Sequence, residues 1–289
     1  MSNYLRQHIL PKTYLKYFSK DNSGKGIFTI DLSLQDTRVQ IKNPGDNIFW
    51  RKNYYTDGRF EDKFVIEKSL GIIESSYNKI INSIIKEETK ISSEVKNNLI
   101  RWIIYSKLRS PIIRMDYERK TRFKISFADL VSNESDSQFQ IILDQLNRHS
   151  KEYHLDHFFD TELFNKTFND LATCALTKQW EILIAPQTMK FWTSDNPGFT
   201  IFADRYEKTG LTIPYPFFNK TTSDSHHFFP LTNKYCLELI PYEKGSKINH
   251  DLNDELVKYK KIDNGRCNKI NQFTAMTACN FLIVDESQF

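Results

Sequence analysis

The chain has 289 residues, 39% hydrophobic and 26% charged, a composition that excludes a disordered chain and allows a sizeable core. It contains only 9 glycines and 9 prolines, which argues against a repeat protein, a collagen-like chain or a long linker. The net charge of +4 is mildly basic, so it is compatible with an anionic partner without requiring one.

The cysteines Cys174, Cys236, Cys267 and Cys279 have neither metal-site spacing nor the pattern of a disulfide framework. No stretch approaches the roughly 18 apolar residues of a membrane span. No apolar run near the N-terminus is typical of a signal peptide. We therefore expect a cytoplasmic protein with reduced thiols and no membrane partner, and the oligomeric state stays open.

The first predicted helix begins at Pro11, because proline suits the first helical turn, and Tyr14, Leu15 and Phe18 follow at helical spacing. His8 then lies in an extended segment just before a helix N-terminus, where the helix dipole disfavours a charged imidazolium. A neutral imidazole can act as a base or a metal ligand. The alternative is a structural histidine that hydrogen-bonds the backbone.

Alternating residues predict a strand over Ile27–Leu32, and Ile48–Trp50 is a second candidate strand. An apolar stripe at helical spacing then predicts about six turns of helix from Ile66 to Ile84. The chain thus begins with a small β element and continues into a helical middle.

A second long helix is predicted after a cap at Ser92 or Ser93, and Pro111 should kink or break it. Asn133–Ser137 is the predicted loop. Two further helices are predicted over residues 139–151 and 161–176.

After Thr177 the chain is rich in aromatic and β-branched residues, and turn-forming residues separate its segments. Strands are predicted for WEILIAP, KFWTSD, GFTIFA, HHFFPL, KYCLELIP and FLIVDE, and one helix interrupts them from about Asn264 to Asn280. Because strands and helices are segregated, the predicted class is α+β. We expect short N-terminal strands, a central bundle of long helices and a C-terminal β-rich part packed on it. One domain spans 1–289, and a division into a helical lobe (about 62–175) and a β-rich lobe (about 176–289) stays open.

Glu67 and Glu74 are seven residues apart on the predicted long helix and therefore share one face. Both flank the apolar stripe, so they could share a metal or divide acid and base roles. The alternative is an ordinary charged pair with Lys63 and Lys68 as helical neighbours.

A second polar feature is the segment in which a strand ends in Ser194, Asp195, Asn196 and Pro197. Asp195 can form an Asx turn there, and Pro197 stops the strand. Carboxylates held on rigid turns at strand ends are common in active sites, and they are equally common as structural turns.

Several segments occur in a fixed order: QHILPKTYLKYF, IEKSLGIIES, YSKLRSPIIR, FWTSDNP, FFPLT and NKINQFTAMTA. In this order they resemble the bacterial domain-of-unknown-function family 4238 over about residues 4–285. The resemblance implies a shared fold and a shared polar site, but no particular reaction. It places the family's positions at His8, Pro11, Glu67, Glu74, Arg109, Ser194, Asp195, Pro197 and Asn271.

The first functional hypothesis is a metal-dependent phosphodiesterase, specifically a nuclease acting on DNA or RNA, with a role in bacterial defence, including antiviral defence, or in conflict between bacteria. In it, Glu67, Glu74 and Asp195 hold Mg²⁺ or Mn²⁺, which lowers the pKa of a bound water and neutralises the phosphate. His8 accepts the water's proton, and Arg109 stabilises the transition-state charge. Basic and aromatic residues around the cleft bind the nucleic acid.

The second hypothesis is a non-catalytic binding or sensor protein that recognises an anionic small molecule, such as a nucleotide, or a peptide of a partner protein. Arg109 and His8 then contact the ligand, and the carboxylates orient them. In a third hypothesis, the polar set is a buried hydrogen-bond network that fixes the packing of the helices against the sheet. Asn196 and Asn271 complete the set of candidate site residues.

Overall fold

The computed structural model of the chain describes residues 6–34, 38–119, 136–159, 169, 172, 178–202, 213–216, 225–242 and 257–286. The predicted helix over 161–176 lies outside the described residues, apart from positions 169 and 172. The predicted loop Asn133–Ser137 is wrong at its last two residues, Asp136 and Ser137, which belong to a helix. Its first three residues lie outside the described residues.

The N-terminal part alternates very short helical turns with short strands. Its elements are β1 (Arg6–His8), α1 (Lys12–Leu15), a 3₁₀ turn (Lys16–Phe18), β2 (Ile27–Asp31), β3 (Gln40–Lys42), a second 3₁₀ turn (Asn47–Phe49) and β4 (Trp50–Lys52). Pro11 is the N-cap of α1, so the predicted extended segment followed by a helix is confirmed. The predicted strand Ile48–Trp50 is wrong at its first two residues, because the Phe49 N–H bonds back to the Asp46 carbonyl and closes a 3₁₀ turn.

Long helices fill the middle of the chain. They are α2 (Val65–Ile85), α3 (Ser93–Arg109), α4 (112–119) and α5 (Asp136–Phe159). The Ser92 side chain accepts a hydrogen bond from the Val95 N–H at 3.4 Å, which confirms the predicted cap. The helix breaks at Ser110, directly before Pro111, as predicted. This break places Arg109 at the last position of α3.

The C-terminal part is rich in strands. Its elements are β5 (Lys178–Ile184), β6 (Thr193–Ser194), β7 (Phe199–Phe202), β8 (Ser225–Pro230), β9 (Tyr235–Pro241), β10 (Lys258–Lys261), α6 (Asn264–Thr277) and β11 (Phe281–Ile283). Sequence analysis missed β3 and β10, because Gln40–Lys42 and Lys258–Lys261 are too polar to give an apolar strand pattern.

The described strands form three sheets. One is the pair β1–β4, the second has the order β10-β5-β9-β8-β7, and the third has the order β3-β2-β11-β6. Only β10 and β5 pair in parallel among these strands. The protein is α+β, as predicted. The N-terminal strands β2 and β3 are not a separate layer, because β2 pairs with β11 and so joins the two ends of the chain in one sheet.

An aromatic cluster joins the helices to the sheets. Tyr77 of α2 stacks on Trp102 of α3 with ring centroids 4.1 Å apart, and Tyr14 packs against both rings. The buried Tyr14 hydroxyl donates to the Pro230 carbonyl at 2.8 Å, so the N-terminal helix is fixed to β8. Buried rings with satisfied hydroxyls make this a rigid support for the residues that precede and follow α1.

Within the described ranges, no helix combines the length and the apolar character that crossing a membrane requires.

Candidate functional site

The centre of the site is Arg109, at the C-terminal end of α3. Its side chain is only 2% exposed. Nε donates to the backbone carbonyl of His8 at 3.1 Å, and Nη2 donates to the same carbonyl. Nη1 forms an ion pair with Glu74 of α2. Arg109 therefore joins two other predicted residues, His8 and Glu74, which lie far apart in the sequence.

Tyr55 supports the arginine from the other side. Its buried hydroxyl donates to the Arg109 carbonyl at 2.9 Å, and the guanidinium carbon lies 5.6 Å from the centroid of its ring. The Tyr55 N–H in turn donates to the Gln7 side chain. Neither Tyr55 nor Gln7 is a predicted site residue. Gln7 opens the segment QHILPKTYLKYF but carries no charge, Tyr55 lies in none of the ordered segments, and only the fold brings both to Arg109.

The charge of Arg109 is secured by its neighbours. Burial works against a charged guanidinium, but the nearby Glu74, Tyr55 and Glu67 outweigh it and raise the pKa of Arg109. A buried arginine with one hydrogen-bonded carboxylate partner is a fixed positive charge at every physiological pH.

Glu67 is the second carboxylate whose charge interacts with that of Arg109. Burial raises its pKa to about 7; the charge of Arg109 opposes this shift and that of Glu74 adds to it. Its Oε2 atom is buried and has no hydrogen-bond partner among the described residues. A buried carboxylate oxygen without a partner is costly, and such groups concentrate at functional sites. The predicted sharing of one helix face by Glu67 and Glu74 is therefore realised around a common cation.

His8 lies at the end of β1, and its ring is partly buried. The ring Nε2 bonds to the Pro44 carbonyl at 3.2 Å, so Nε2 carries the proton and Nδ1 keeps its lone pair. Burial lowers the pKa of His8 to about 4, and the positive charges of Lys12 and Arg109 act in the same direction. The imidazole is therefore neutral near pH 7, as the sequence predicts, although the main cause is burial rather than the helix dipole.

Asp195 lies in a different environment. Its side chain is fully buried, and Oδ1 accepts from the Cys279 N–H at 2.9 Å. Oδ2 accepts from both the backbone and the side-chain N–H of Asn280 at 2.8 Å. Burial raises the pKa of Asp195, and these hydrogen bonds oppose the rise. The carboxylate therefore connects the turn after β6 to the chain between α6 and β11.

The predicted Asx turn at Asp195 is wrong, because its carboxylate is engaged by the distant residues 279 and 280. The neighbouring Ser194 hydroxyl instead accepts from the Asn196 N–H at 3.2 Å and closes the turn. The buried Asn196 side chain donates to the Thr277 carbonyl at 2.9 Å and accepts from Lys107 at 2.8 Å.

Lys107 is a buried cation that sequence analysis missed. Its ammonium donates to Asn196 Oδ1, to the Gly198 carbonyl at 2.5 Å and to the Pro216 carbonyl at 2.9 Å. Burial lowers its pKa to about 7, and the nearby Cys279 opposes the shift. Lys107, which precedes Arg109 by two residues on α3, therefore holds the turn that follows β6.

Asn271 holds the segment before β6. Its side-chain oxygen accepts from the Trp192 N–H at 2.9 Å, and its side-chain nitrogen donates to the Lys190 carbonyl at 2.9 Å. The side chain is fully buried and satisfies two backbone groups that no strand pairs. This contact pattern is that of a structural asparagine.

Two of the three predicted metal ligands already bond to other groups. Glu74 is bonded to Arg109, and both oxygens of Asp195 already accept from N–H groups. Within the described residues, no group of three or more His, Cys, Asp or Glu has a metal-binding arrangement. The site that the structure assembles consists of His8, Glu67, Glu74 and Arg109. The Mg²⁺ or Mn²⁺ assignment stays a prediction.

Comparison with known proteins gives one result that covers nearly the whole chain. No curated protein matches the sequence, and no solved structure matches the fold. The family model of DUF4238, described as a protein of unknown function, matches residues 6–288. This range contains every residue of the candidate site, so the resemblance identified from the ordered segments is confirmed. The chain belongs to the DUF4238 family.

Proposed function

We propose that the protein is a phosphodiester hydrolase that acts on nucleic acid, with Glu67 as its acid–base group. One observation carries the proposal, namely a buried carboxylate oxygen of Glu67 that has no hydrogen-bond partner among the described residues and lies within electrostatic range of the Arg109 cation. An unbonded carboxylate oxygen has a lone pair ready to accept a proton from water. A catalytic role accounts for a group that otherwise only costs stability.

In the proposed reaction, water attacks the phosphorus and the bond to the leaving oxygen breaks. The ionised Glu67 carboxylate takes a proton from the attacking water and then delivers it to the leaving oxygen, so Glu67 returns to its starting form. A pKa of about 7 suits both transfers, because ionised and protonated Glu67 coexist near neutral pH.

Arg109 would hold the phosphoryl group. Each Nη carries a second N–H, and the described residues supply no acceptor for either of them. Because Glu74 and the His8 carbonyl already fix the guanidinium, these N–H groups keep their direction when they donate to non-bridging oxygens. The Arg109 side chain is 2% exposed, so the residues that cover it must move for the phosphoryl group to enter. With its pKa of about 4, His8 is too weak a base for the proton transfer, so its imidazole serves here as a neutral hydrogen-bonding group.

The test is cleavage of fluorescently labelled single-stranded DNA, single-stranded RNA and duplex DNA by the purified protein, from acidic to alkaline pH. Each substrate is incubated in a chelator and, separately, with Mg²⁺ or Mn²⁺. We expect one of these substrates to be cut, and we expect Glu67→Gln to lose at least 100-fold in rate, as is usual for a general acid–base group.

The matched control is Glu61→Gln, an exposed glutamate that precedes α2 and makes the same charge change. It should retain the wild-type rate. A wild-type protein that cuts no substrate under any condition, or a Glu67→Gln variant as active as the control, contradicts the proposal.

Three further parts of the proposal rest on the sequence alone. Rates with and without chelator test whether Mg²⁺ or Mn²⁺ takes part. A cytoplasmic location follows from the cysteine pattern, and cell fractionation tests it. A role in antiviral defence, with or without a partner protein, is tested by phage challenge of cells that carry the gene.

A second candidate function is capture of an anionic small molecule without catalysis. The observation that favours it is the pair of Arg109 N–H groups without an acceptor among the described residues, because a buried guanidinium with open donors suits a phosphate group. Nucleotides that raise the melting temperature of the protein, with no change in the nucleotide itself, would favour capture over hydrolysis.

A further inference from the structure

The outward face of the β1–β4 pair is strongly basic and lies directly beside the candidate site. In this antiparallel pair Arg6 is opposite Lys52, and His8 is opposite Trp50. Directly opposed residues share one face of a sheet, and residues two apart along a strand do so as well. Gln7, on the other face, is fully buried, so the face that carries these four residues is the outer one.

The charges of this face have no counter-charge in the described part of the chain. Arg6 and Lys52 are exposed, and no described carboxylate forms an ion pair with either. Like charges directly opposite each other destabilise a strand pair. Lys12, at the start of α1, is also exposed and forms no ion pair with a described carboxylate, and its charge lowers the pKa of His8. An anion bound here would relieve this repulsion.

The same face presents an aromatic surface. The Arg6 guanidinium lies 4.8 Å from the centroid of the Trp50 ring, and the Trp50 indole N–H donates to the Gly45 carbonyl at 3.0 Å. The indole is thus held in place while it remains partly exposed. Fixed aromatic rings and arginine planes beside basic side chains are the elements that bind bases and phosphates of single strands.

We infer that this face, with Arg6 and Lys52 as phosphate contacts and Trp50 as a stacking surface, binds single-stranded nucleic acid and leads it to His8 and Arg109. The inference rests on the proposed function and names its substrate class. A single strand fits better than a duplex, because only unpaired bases expose the faces that an aromatic ring can stack on.

The experiment measures the fluorescence anisotropy of labelled oligothymidine and oligouridine with the Glu67→Gln protein, so that the probe stays intact. The same measurement is made with the wild-type protein, and a gel shows whether the probe has been cleaved. Each phosphate contact contributes about 0.7 to the slope of log affinity against log salt for a single strand. Arg6→Ala/Lys52→Ala should therefore lower this slope by about 1.4 and weaken binding about tenfold at low salt. Trp50→Leu should weaken binding about tenfold without changing the slope.

The control is Lys258→Ala/Lys261→Ala, which removes the same charge from exposed positions of β10 in another sheet. It should bind like the parent protein. Equal weakening by both double variants, competition by duplex as effective as by a single strand, or absence of binding overturns the inference. Binding without cleavage by the wild type leaves the inference standing and overturns the proposed hydrolysis. If Arg6→Ala/Lys52→Ala binds a single strand as tightly as the parent protein and the same substitutions do not slow cleavage, the inference is overturned and the proposed hydrolysis stands.

Discussion

Arg109 forms its ion pair with Glu74, whereas Glu67, seven residues earlier on the same helix, interacts with the same guanidinium through its charge and forms no ion pair with it. The two carboxylates therefore differ in their bonding, although both lie at the edge of one apolar stripe. Glu74 neutralises the buried arginine and fixes its position. Glu67 remains available for a proton, and this difference is what an acid–base site requires.

The first prediction concerns the pH dependence of stability. Burial raises the pKa of Glu67 from 4.5 to about 7, so the folded protein must hold an unfavourable charge above pH 7. Below pH 4.5 both the folded and the unfolded state carry a protonated Glu67, and the penalty is absent. As pH rises from 4.5 to 7 and above, Glu67 should lower the free energy of unfolding by on the order of 3 kcal/mol.

The measurement is urea unfolding of the wild type and of Glu67→Gln between pH 4.5 and pH 8, reported as their difference. The difference is needed because His8 also changes the free energy of unfolding with pH. Its pKa is lowered to about 4 in the folded protein, so its contribution has the opposite sign and stability falls as pH falls. Glu67→Gln should become progressively more stable relative to the wild type as pH rises. A difference that does not change with pH contradicts the shifted pKa.

The second prediction concerns the buried ion pair. Removing one partner leaves a charge without its counter-charge, so Arg109→Met should lower the free energy of unfolding by about 3–5 kcal/mol. Glu74→Gln should lower the free energy of unfolding by less, because the Glu74 side chain is 26% exposed and water can partly replace its carboxylate as a partner of Arg109. The Arg109→Met/Glu74→Gln double variant should cost less than the sum of the two. Exact additivity in a denaturation cycle would show that the pair does not interact.

The third prediction separates Asp195 from the acid–base group. Asp195→Asn replaces one acceptor oxygen with an NH₂ group that faces backbone N–H donors, so it should destabilise the fold by about 1–3 kcal/mol. Activity per folded molecule should be unchanged, in contrast to Glu67→Gln. Calorimetric titration with Mn²⁺ gives an independent readout. A Mn²⁺ site present in the wild type and lost in Asp195→Asn would instead support the predicted metal role of this carboxylate.

Patterns of local spacing predicted much of the fold. The stripe from Ile66 to Ile84 gave α2 within one residue at each end, and Pro111 marked the end of α3. Both signals are local, because helix formation and its termination depend on neighbours within a turn or two. The pairing of β2 with β11 joins residues more than two hundred positions apart, and no local pattern contains it.

The candidate site was predicted unevenly for the same reason. Glu67 and Glu74 share a helix face by spacing alone, whereas the contact of Arg109 with the His8 carbonyl depends on how β1 packs against α3. The role of Asp195 was not visible, because its partners are the backbone N–H groups of residues 279 and 280 and the Asn280 side chain, all more than eighty positions away in the sequence. The local sequence does not distinguish Lys107 from an exposed helical lysine, and only the fold shows that it is buried.

The last prediction tests the turn that Lys107 holds. Gly198 has a φ of +79°, in the left-handed region that other residues enter at a cost of about 1–2 kcal/mol. Gly198→Ala should therefore lower the free energy of unfolding by that amount, and it should weaken the hydrogen bond that the Gly198 carbonyl accepts from Lys107. Gly71→Ala is the matched control, because Gly71 lies inside α2 with open space around it and a helical backbone. The same substitution there should stabilise the protein by about 0.5–1 kcal/mol, so thermal melts of the two variants should shift in opposite directions.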